Sequence, residues 1–354
     1  MARELTNKGR LYLRPYLFNS TEKQGQCFAC STLFFRQVEV IRWIVGQSPI
    51  SKTYDLQNFI HELSENPLYD SLKRPFLHLQ KPRNFAGFDC SRPLLMGILN
   101  VTPDSFYDGG YYKTVDQAVN KAVSLKESGA DIIDIGGEST RPGAESVAPE
   151  TEIERIIPVV QELANRGLVI SVDTRHADVM QAAINHGVTI INDISALTGD
   201  RKSLSIIVSN PKVSVILMHM KGQPTTMQHQ PFYDAAALEV FDYLHNRLAT
   251  CYEAGIAPDR LCVDPGIGFG KNIEHNLDII RQISLLHTLG VPVLLGASRK
   301  RLIADLSNQE KVDQRLPGSL AICLHAINQG VQILRVHDVA ETKQAYRVWS
   351  GINI

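Results

Sequence analysis

From residue 94 onward the chain repeats one alternation. A short, continuous run of apolar and largely β-branched residues is followed by a segment of helical length with an apolar stripe. The runs cover 94–101, 131–137, 168–174, 189–195, 213–220, 260–266, 291–298 and 331–338. Between them the spacing predicts amphipathic helices, among them 115–128, 150–164, 177–186, 236–254 and 277–289. Runs that are apolar throughout, rather than at every second position, suit strands covered on both faces, as in a parallel sheet. Alternating β and α units either close into a barrel or wind into an open sheet. Eight units in about 260 residues predict the (β/α)8 TIM barrel. Polar residues collect just after nearly every run, where a barrel builds its site, and not at one switch point behind a glycine-rich first turn. Gly266-Ile-Gly-Phe-Gly270 is glycine-rich but follows the sixth run, so it reads as a tight turn shaping the pocket.

Residues 1–92 do not share this rhythm. The stretch 32–46 has short apolar and aromatic runs compatible with strand or helix, and 54–64 spaces Leu56, Phe59, Ile60 and Leu63 at helical intervals. Pro67, Pro75, Pro82 and Pro93 then interrupt the chain repeatedly. Composition marks the same division. Residues 1–92 hold 13 Lys and Arg against 8 Asp and Glu, and 13 of the chain's aromatic residues. The expected organisation is an N-terminal extension or small domain of unknown fold and role over 1–92 and a barrel domain over 93–354.

Over the whole chain, 36 basic residues balance 37 acidic ones, which gives no support to a nucleic-acid or membrane partner. No apolar run reaches the length of a membrane span. Met1-Ala-Arg-Glu-Leu5 lacks the apolar core of a secretory signal. The first twenty residues hold three Arg, one Lys and one acid, a composition that leaves organelle targeting open. Cys27 and Cys30 form a lone CxxC without a second pair at zinc-site spacing, and the scattered cysteines do not form a disulfide framework. The expected location is cytoplasmic.

The strand ends carry the chemistry. In order they present Asn100, the loop 102–110, Glu138–Gly143, Asp173-Thr174-Arg175, Asn192-Asp193, Met218-His219-Met220, Asp264-Pro265, Ser298-Arg299-Lys300 and Arg335-Val336-His337-Asp338. Any one of Asp173, Asp193 or Ser298 fits a helix N-cap; a polar group at every strand end is not explained by capping. Asp173, Asn192 and Asp264 offer the acceptors and donors that read the edge of a flat, nitrogen-rich heterocycle, with carboxylates accepting strongly from ring N–H groups. Lys300 can donate to a ring carbonyl. Asn100, Thr140, Arg141, Arg335 and His337 suit a phosphate, which arginine can grip with two parallel bonds. The pocket is expected to hold a heterocycle at one side and an anion at the other. His219 reads as a core histidine, and Lys271 either as a substrate contact or as a solvated loop lysine.

These residues stand in motifs. Gly97-Ile-Leu-Asn-Val-Thr-Pro-Asp-Ser-Phe106, Gly137-Glu-Ser-Thr-Arg-Pro-Gly143, Ser171-Val-Asp-Thr174, Ile191-Asn-Asp-Ile194, Leu217-Met-His-Met220, Asp264–Gly270, Ser298-Arg-Lys300 and Arg335-Val-His-Asp338 resemble, in order, the successive motifs of dihydropteroate synthases. The resemblance runs through residues 94–354. It implies condensation of 6-hydroxymethyl-7,8-dihydropterin diphosphate with 4-aminobenzoate to give 7,8-dihydropteroate and pyrophosphate, by a dissociative substitution at the pterin methylene.

On the matching positions, Asp173, Asn192, Asp264 and Lys300 would bind the pterin in a pocket that Met218 and Phe269 line. Asn100, Thr140, Arg141, Arg335 and His337 would hold the diphosphate, with Mg2+ coordinated partly through Asn100. Phe106, Thr140, Pro142 and Ser298 would form the aminobenzoate side. Asp108, Arg141 and Lys300 would be the catalytic group, the first two stabilising a closed arrangement of the first two loops. The resemblance also implies a homodimer and a sulfonamide target, although Tyr107, where the family often has Ser, would reshape the aminobenzoate side. Two other readings share the pterin clamp: a pterin-dependent methyltransferase, which needs neither Ser139–Gly143 nor Ser298–Lys300, and a catalytically silent pterin-binding homologue, which would not need to keep Lys300, Arg141 and Arg335.

Overall fold

The computed structural model describes residues 9–19, 25–29, 31–101, 114–138, 147–223 and 226–353. Its N-terminal quarter is an antiparallel sheet. Strand β1 (Arg10–Asn19) pairs along its length with β3 (Leu33–Trp43), whose other edge carries β2 (Gln26–Cys27) and β4 (Ile50–Asp55). The stretch 32–46 is therefore strand. The segment predicted helical over 54–64 is α1 (Leu56–Glu65), followed by α2 (Lys73–His78). One face of the sheet buries Leu13, Phe35, Val38 and Val40 against Phe59, Leu63, Leu72 and Phe76 of the helical side. Tyr12, Ile41 and Trp43 belong instead to the core that continues into the barrel.

A short hairpin, β5 (Asn84–Phe85) with β6 (Phe88–Asp89), leads into the barrel. All eight predicted barrel strands are present: β7 (Leu94–Asn100), β8 (Ile132–Gly136), β9 (Ile170–Asp173), β10 (Ile190–Asp193), β11 (Ser214–Met218), β12 (Leu261–Asp264), β13 (Leu294–Leu295) and β14 (Ile333–Val336). They pair in parallel in the order β12-β11-β10-β9-β8-β7-β14-β13. A parallel bridge between Val263 and Val293 joins the ends and closes the cylinder. The helices α3 (Val115–Glu127), α4 (Pro149–Asn165), α5 (Ala177–Asn185), α6 (Ser203–Ser209), α7 (Ala236–Glu253), α8 (Ile273–Arg281), α9 (Arg301–Leu306), α10 (Leu316–Asn328) and α11 (Val339–Asn353) follow the strands. The 277–289 helix of the sequence reading splits into α8 and a 3-10 segment, Ile283–Leu289, that ends on Gly290 in the left-handed region.

The two-residue period of a strand decides what the barrel holds inside. Met96, Ile132, Ile190, Ile216, Cys262, Leu294 and Ile333 point inward and form a floor. Phe85 of the hairpin, fully buried, packs in that same cluster from below. Leu95, Ile133, Ile191, Val215, Val263 and Leu334 fall in the other cluster, facing the helices. Two residues beyond the floor, the inward positions are Asp134, Asn192, Met218, Asp264, Gly296 and Arg335. The site is thus the next layer of the barrel interior, standing on an apolar base.

The N-terminal unit is fastened to the opposite end and flank of the barrel from this layer. The Tyr12 hydroxyl donates to Asp242 Oδ2 at 2.9 Å, and Ser284 Oγ donates to the Pro15 carbonyl at 3.0 Å. The central tie is Arg83, which is 3% exposed. Its guanidinium donates to the carbonyls of His78 at 2.5 Å, His287 at 2.9 Å and Gly290 at 2.8 Å, with no carboxylate paired to it among the described residues. Burial pushes its pKa down to about 10. Replacing Arg83 by Met would leave three carbonyls without a donor, each worth about 1–3 kcal/mol when buried. We expect Arg83→Met to lower the melting temperature by several degrees, as thermal unfolding will check.

Candidate active site

The interior layer holds more carboxylate than sequence reasoning assigned to it. Asp134, in the middle of β8, is wholly buried and was counted there as part of an apolar run. Arg335 reaches across from β14 and donates through Nε to Asp134 Oδ2 at 2.6 Å and through Nη2 to Asp173 Oδ2 at 2.8 Å. Asn192 Nδ2 donates to the same Asp134 oxygen at 3.2 Å. One cation therefore serves two carboxylates, Asp134 wholly buried and Asp173 nearly so. Burial pushes the Asp173 carboxyl up to about 7 against the pull of Arg335, with Asp134 adding to the rise. Arg335 itself is held above its ordinary value by the two aspartates, which outweigh its burial. The other oxygens, Asp134 Oδ1 and Asp173 Oδ1, have no hydrogen-bond partner among the described residues. They are acceptors available to a ligand.

Asp264 stands beside this network across Gly296, where an added Cβ would meet both Asp264 Oδ2 and Arg335 at 3.8 Å. The Asp264 carboxylate accepts from Gly266 N at 2.7 Å. Burial raises its pKa, opposed first by Lys300 and then by the Gly266 bond, Arg335 and Lys271. Lys300 lies over the Phe269 ring, Nζ 4.6 Å from the centroid, and donates to the Ile267 carbonyl. Its pKa falls to about 8 because burial outweighs the attraction of Asp264. Met218 is buried at the end of β11, in contact range of Gly266.

On the other side of Lys300, Ser298 Oγ lies 3.1 Å from His337 Nδ1 and accepts from His337 N at 3.3 Å. The residue between, Arg299, adopts φ 58, a left-handed conformation that costs a non-glycine residue about 1–3 kcal/mol. Its guanidinium turns outward to pair with Asp338, bonding one oxygen through Nε at 2.9 Å. That pair fixes the loops after β13 and β14 together, so Ser298 and Lys300 flank the pocket.

Asn100 ends β7, half-buried, and its carboxamide makes no hydrogen bond among the described residues. A hard carboxamide oxygen at this position would suit a divalent cation as one ligand, but it brings no charge, so substrate oxygens would have to supply the rest. Glu138, Glu152 and His176 also lie close enough to share an ion. Arg175 already neutralises Glu138 through bonds of 3.0 and 3.1 Å, and burial pushes Glu152 up to about 8, so this group braces the end of β8.

The structure thus brings together Asp173, Asn192, Asp264, Lys300, Met218, Phe269 and Arg335, and pairs Ser298 with His337. Arg335, expected at the anion end, sits among the carboxylates. Phe106, Asp108, Thr140, Arg141 and Pro142 lie outside the described residues. His219 is buried as expected of a core histidine. Lys271 is neither a solvated loop lysine nor, in this state, a free pocket donor, being buried with its ammonium fully engaged. Asp193 spends its carboxylate on Ser195 and Leu197, at 2.6–2.8 Å, and has a local structural role.

Fold and site define a barrel enzyme of the pterin-binding class, and the family model described as pterin binding enzyme matches residues 96–337. The dihydropteroate synthase of Neisseria meningitidis is 44% identical over 280 residues, covering 78% of this chain and 97% of that protein. The chain belongs to the dihydropteroate synthase family and is a transferase of that kind. Among solved structures it is similar to the Yersinia pestis dihydropteroate synthase in complex with a sulfonamide drug, with a TM-score of 0.72 and 44% identity over 75% of this chain and 96% of that one. It is likewise similar to the Xanthomonas albilineans enzyme in complex with 7,8-dihydropteroate, with a TM-score of 0.68 and 42% identity over 75% and 95%.

Proposed function

We propose that the chain joins 6-hydroxymethyl-7,8-dihydropterin diphosphate to 4-aminobenzoate, with the pterin ring seated on the inward layer formed by Asp134, Asp173, Asn192 and Asp264. One observation carries this reading. Three carboxylates, two of them with an unpartnered oxygen, converge with one carboxamide and two cations above an apolar floor. That donor set matches a flat ring with several N–H groups and a carbonyl, and the Xanthomonas relative carries the corresponding product in its crystal structure.

In the reaction the pterin methylene C–O bond breaks and the electron pair leaves with pyrophosphate. The amine of 4-aminobenzoate forms the new C–N bond and gives up a proton, which the departing pyrophosphate or solvent takes. Asp173 and Asp264 accept from ring N–H groups and stabilise the positive charge that spreads from the methylene into the ring; stabilisation where charge develops is usually the largest catalytic term. Lys300 donates to the ring edge, and the Phe269 ring beneath it holds that donor in place. Asn100, His337, Thr140 and Arg141 take the diphosphate, which Arg335 faces from the carboxylate end. Asn100 would hold Mg2+, which would supply Lewis-acid neutralisation of the diphosphate. Ser298, Phe106 and Pro142 take the aminobenzoate, while Asp108 and Arg141 keep water from the methylene. An amine nucleophile needs little activation, so no paired general base is required.

The unit over residues 10–79 is read as a brace on the barrel. The boundary is best drawn before Arg83, because Phe85 already belongs to the barrel floor. A cytoplasmic location accords with the free state of Cys90, Cys251, Cys262 and Cys323. A homodimer is supported by Val348 and Ile352, exposed apolar residues on α11.

The test is pyrophosphate release by the full chain. Release that requires both substrates and yields dihydropteroate is expected. Release without incorporation of 4-aminobenzoate, or methyl transfer from a methylated pterin, would overturn the reading.

A further inference from the structure

The turn that carries Phe269 and fixes Asp264 is itself held by a buried lysine that is neither of the two things its sequence context suggests, a substrate contact or a solvated loop residue. Lys271, 3% exposed, follows Gly266–Gly270 directly. Its Nζ lies 2.8 Å from the Gly266 carbonyl, 3.0 Å from that of Phe269, 3.3 Å from that of His219 and 2.9 Å from His219 Nδ1. None of these acceptors is a carboxylate. A buried amino group whose direct partners are all neutral dipoles is costly to charge, and burial, with Lys300 nearby, pulls its pKa well down, opposed by the field of Asp264.

What this arrangement supports is local and specific. Two of the carbonyls belong to the turn, and the third, with the imidazole, belongs to the residue just after β11. His219 in turn packs edge-on against Tyr243, ring centroids 4.9 Å apart. The turn is pressed so hard against that strand end that a Cβ on Gly266 would stand 2.0 Å from the His219 carbonyl oxygen, and one on Gly270 would stand 2.2 Å from that of Lys221. Both glycines lie at positive φ, 66 and 64. Carbonyl oxygens brought together this closely need a shared donor between them.

We propose that Lys271 is a positioning residue for the pterin end of the site: its ammonium clamps the turn to β11, so that Gly266 N fixes Asp264 and the Phe269 ring fixes Lys300. The proposal deepens the functional reading above and rests on Asp264 and Lys300 binding the pterin. Lys271 does not touch the substrate in this scheme. It acts through the two residues that do, and the aminobenzoate side, built by Ser298 and the first two loops, is independent of it.

The experiment compares full-length wild type with Lys271→Met and His219→Phe. It measures KM for each substrate and the Kd of the pterin diphosphate by calorimetry. In Lys271→Met the pterin KM and Kd rise tenfold or more, while the 4-aminobenzoate KM stays within twofold. His219→Phe keeps the edge-on packing but removes one acceptor, and raises the pterin values about threefold. A merely structural lysine would lower thermal stability and leave the two KM values in their wild-type ratio, and that result overturns the proposal. If Lys271→Met does not fold, His219→Phe decides: unchanged pterin affinity refutes the clamp. Wild-type protein that does not bind the pterin at all removes the functional reading, whereas wild type that binds alongside variants that bind equally well removes the clamp alone.

Discussion

Replacing Lys300 by Met lowers kcat/KM for the pterin diphosphate by about 10²- to 10³-fold, the scale of losing one preorganised donor from a water-excluded site. The ammonium has three N–H donors and spends one on the Ile267 carbonyl. The others are available to the ring edge and to the field that opposes the burial-driven rise of Asp264. Its pKa of about 8 adds a sharper test. Below that pH the lysine is charged and donates strongly; above it the charge is lost, the bond weakens and the field on Asp264 and the ring edge is gone. The pH profile of kcat/KM, which reports the free enzyme, therefore declines on the alkaline side with an apparent pKa near 8. Lys300→Arg stays charged throughout and abolishes that decline, although its planar fork restores only part of the rate. An alkaline decline that persists unchanged in Lys300→Arg assigns the titration to another group.

Much of this site is legible in the chain because a barrel strand has so few positions to offer. Parallel strands covered on both faces stay apolar along their length, and the inward polar residues stand out at their ends. Asp173, Asn192, Asp264, Lys300 and Arg335 were visible in this way. Asp134 obeys the same count, two residues beyond inward Ile132, but it is enclosed by isoleucines and was absorbed into an apolar run. The signal was present: a carboxylate within a fully buried strand requires a cation or donors. Arg335 was assigned to phosphate by its type; which of several anions an arginine meets is settled by tertiary packing and by the state of the site.

Lys271 and Arg83 mark the opposite limit. Each is a cation that ties carbonyls of its own segment to one or more from a segment far away in sequence, and no local pattern announces the distant partner. The N-terminal sheet was ambiguous for a related reason. In β3 the alternation expected of a half-exposed strand is lost because barrel and helices cover both its faces, while Glu39 is accommodated by Arg14 at 2.6 Å.

Removing Arg335 is the second large effect, and it should be felt in stability as strongly as in activity. Arg335→Met leaves Asp134, wholly buried, and Asp173 without their shared cation. Breaking a buried ion pair from one side costs about 3–5 kcal/mol. The cost must depend on pH with a definite sign. The carboxyl of Asp173 is already raised in the folded state, to about 7, chiefly by burial. Without Arg335 its largest opposing influence is gone, and the folded pKa rises further above the unfolded value of about 3.9. The folded state then binds more protons than the unfolded one between those values, so stability falls as pH rises through that window. The variant is accordingly closest to wild type near pH 5, where the orphaned Asp173 carboxyl is protonated, and furthest from it at pH 8. Melting temperatures of both proteins at the two pH values measure the difference, and a deficit that does not change with pH would show that Asp173 is not the group left exposed to its own charge. Activity does not recover at pH 5, because a protonated Asp173 no longer presents the carboxylate to which the pterin N–H groups must bond.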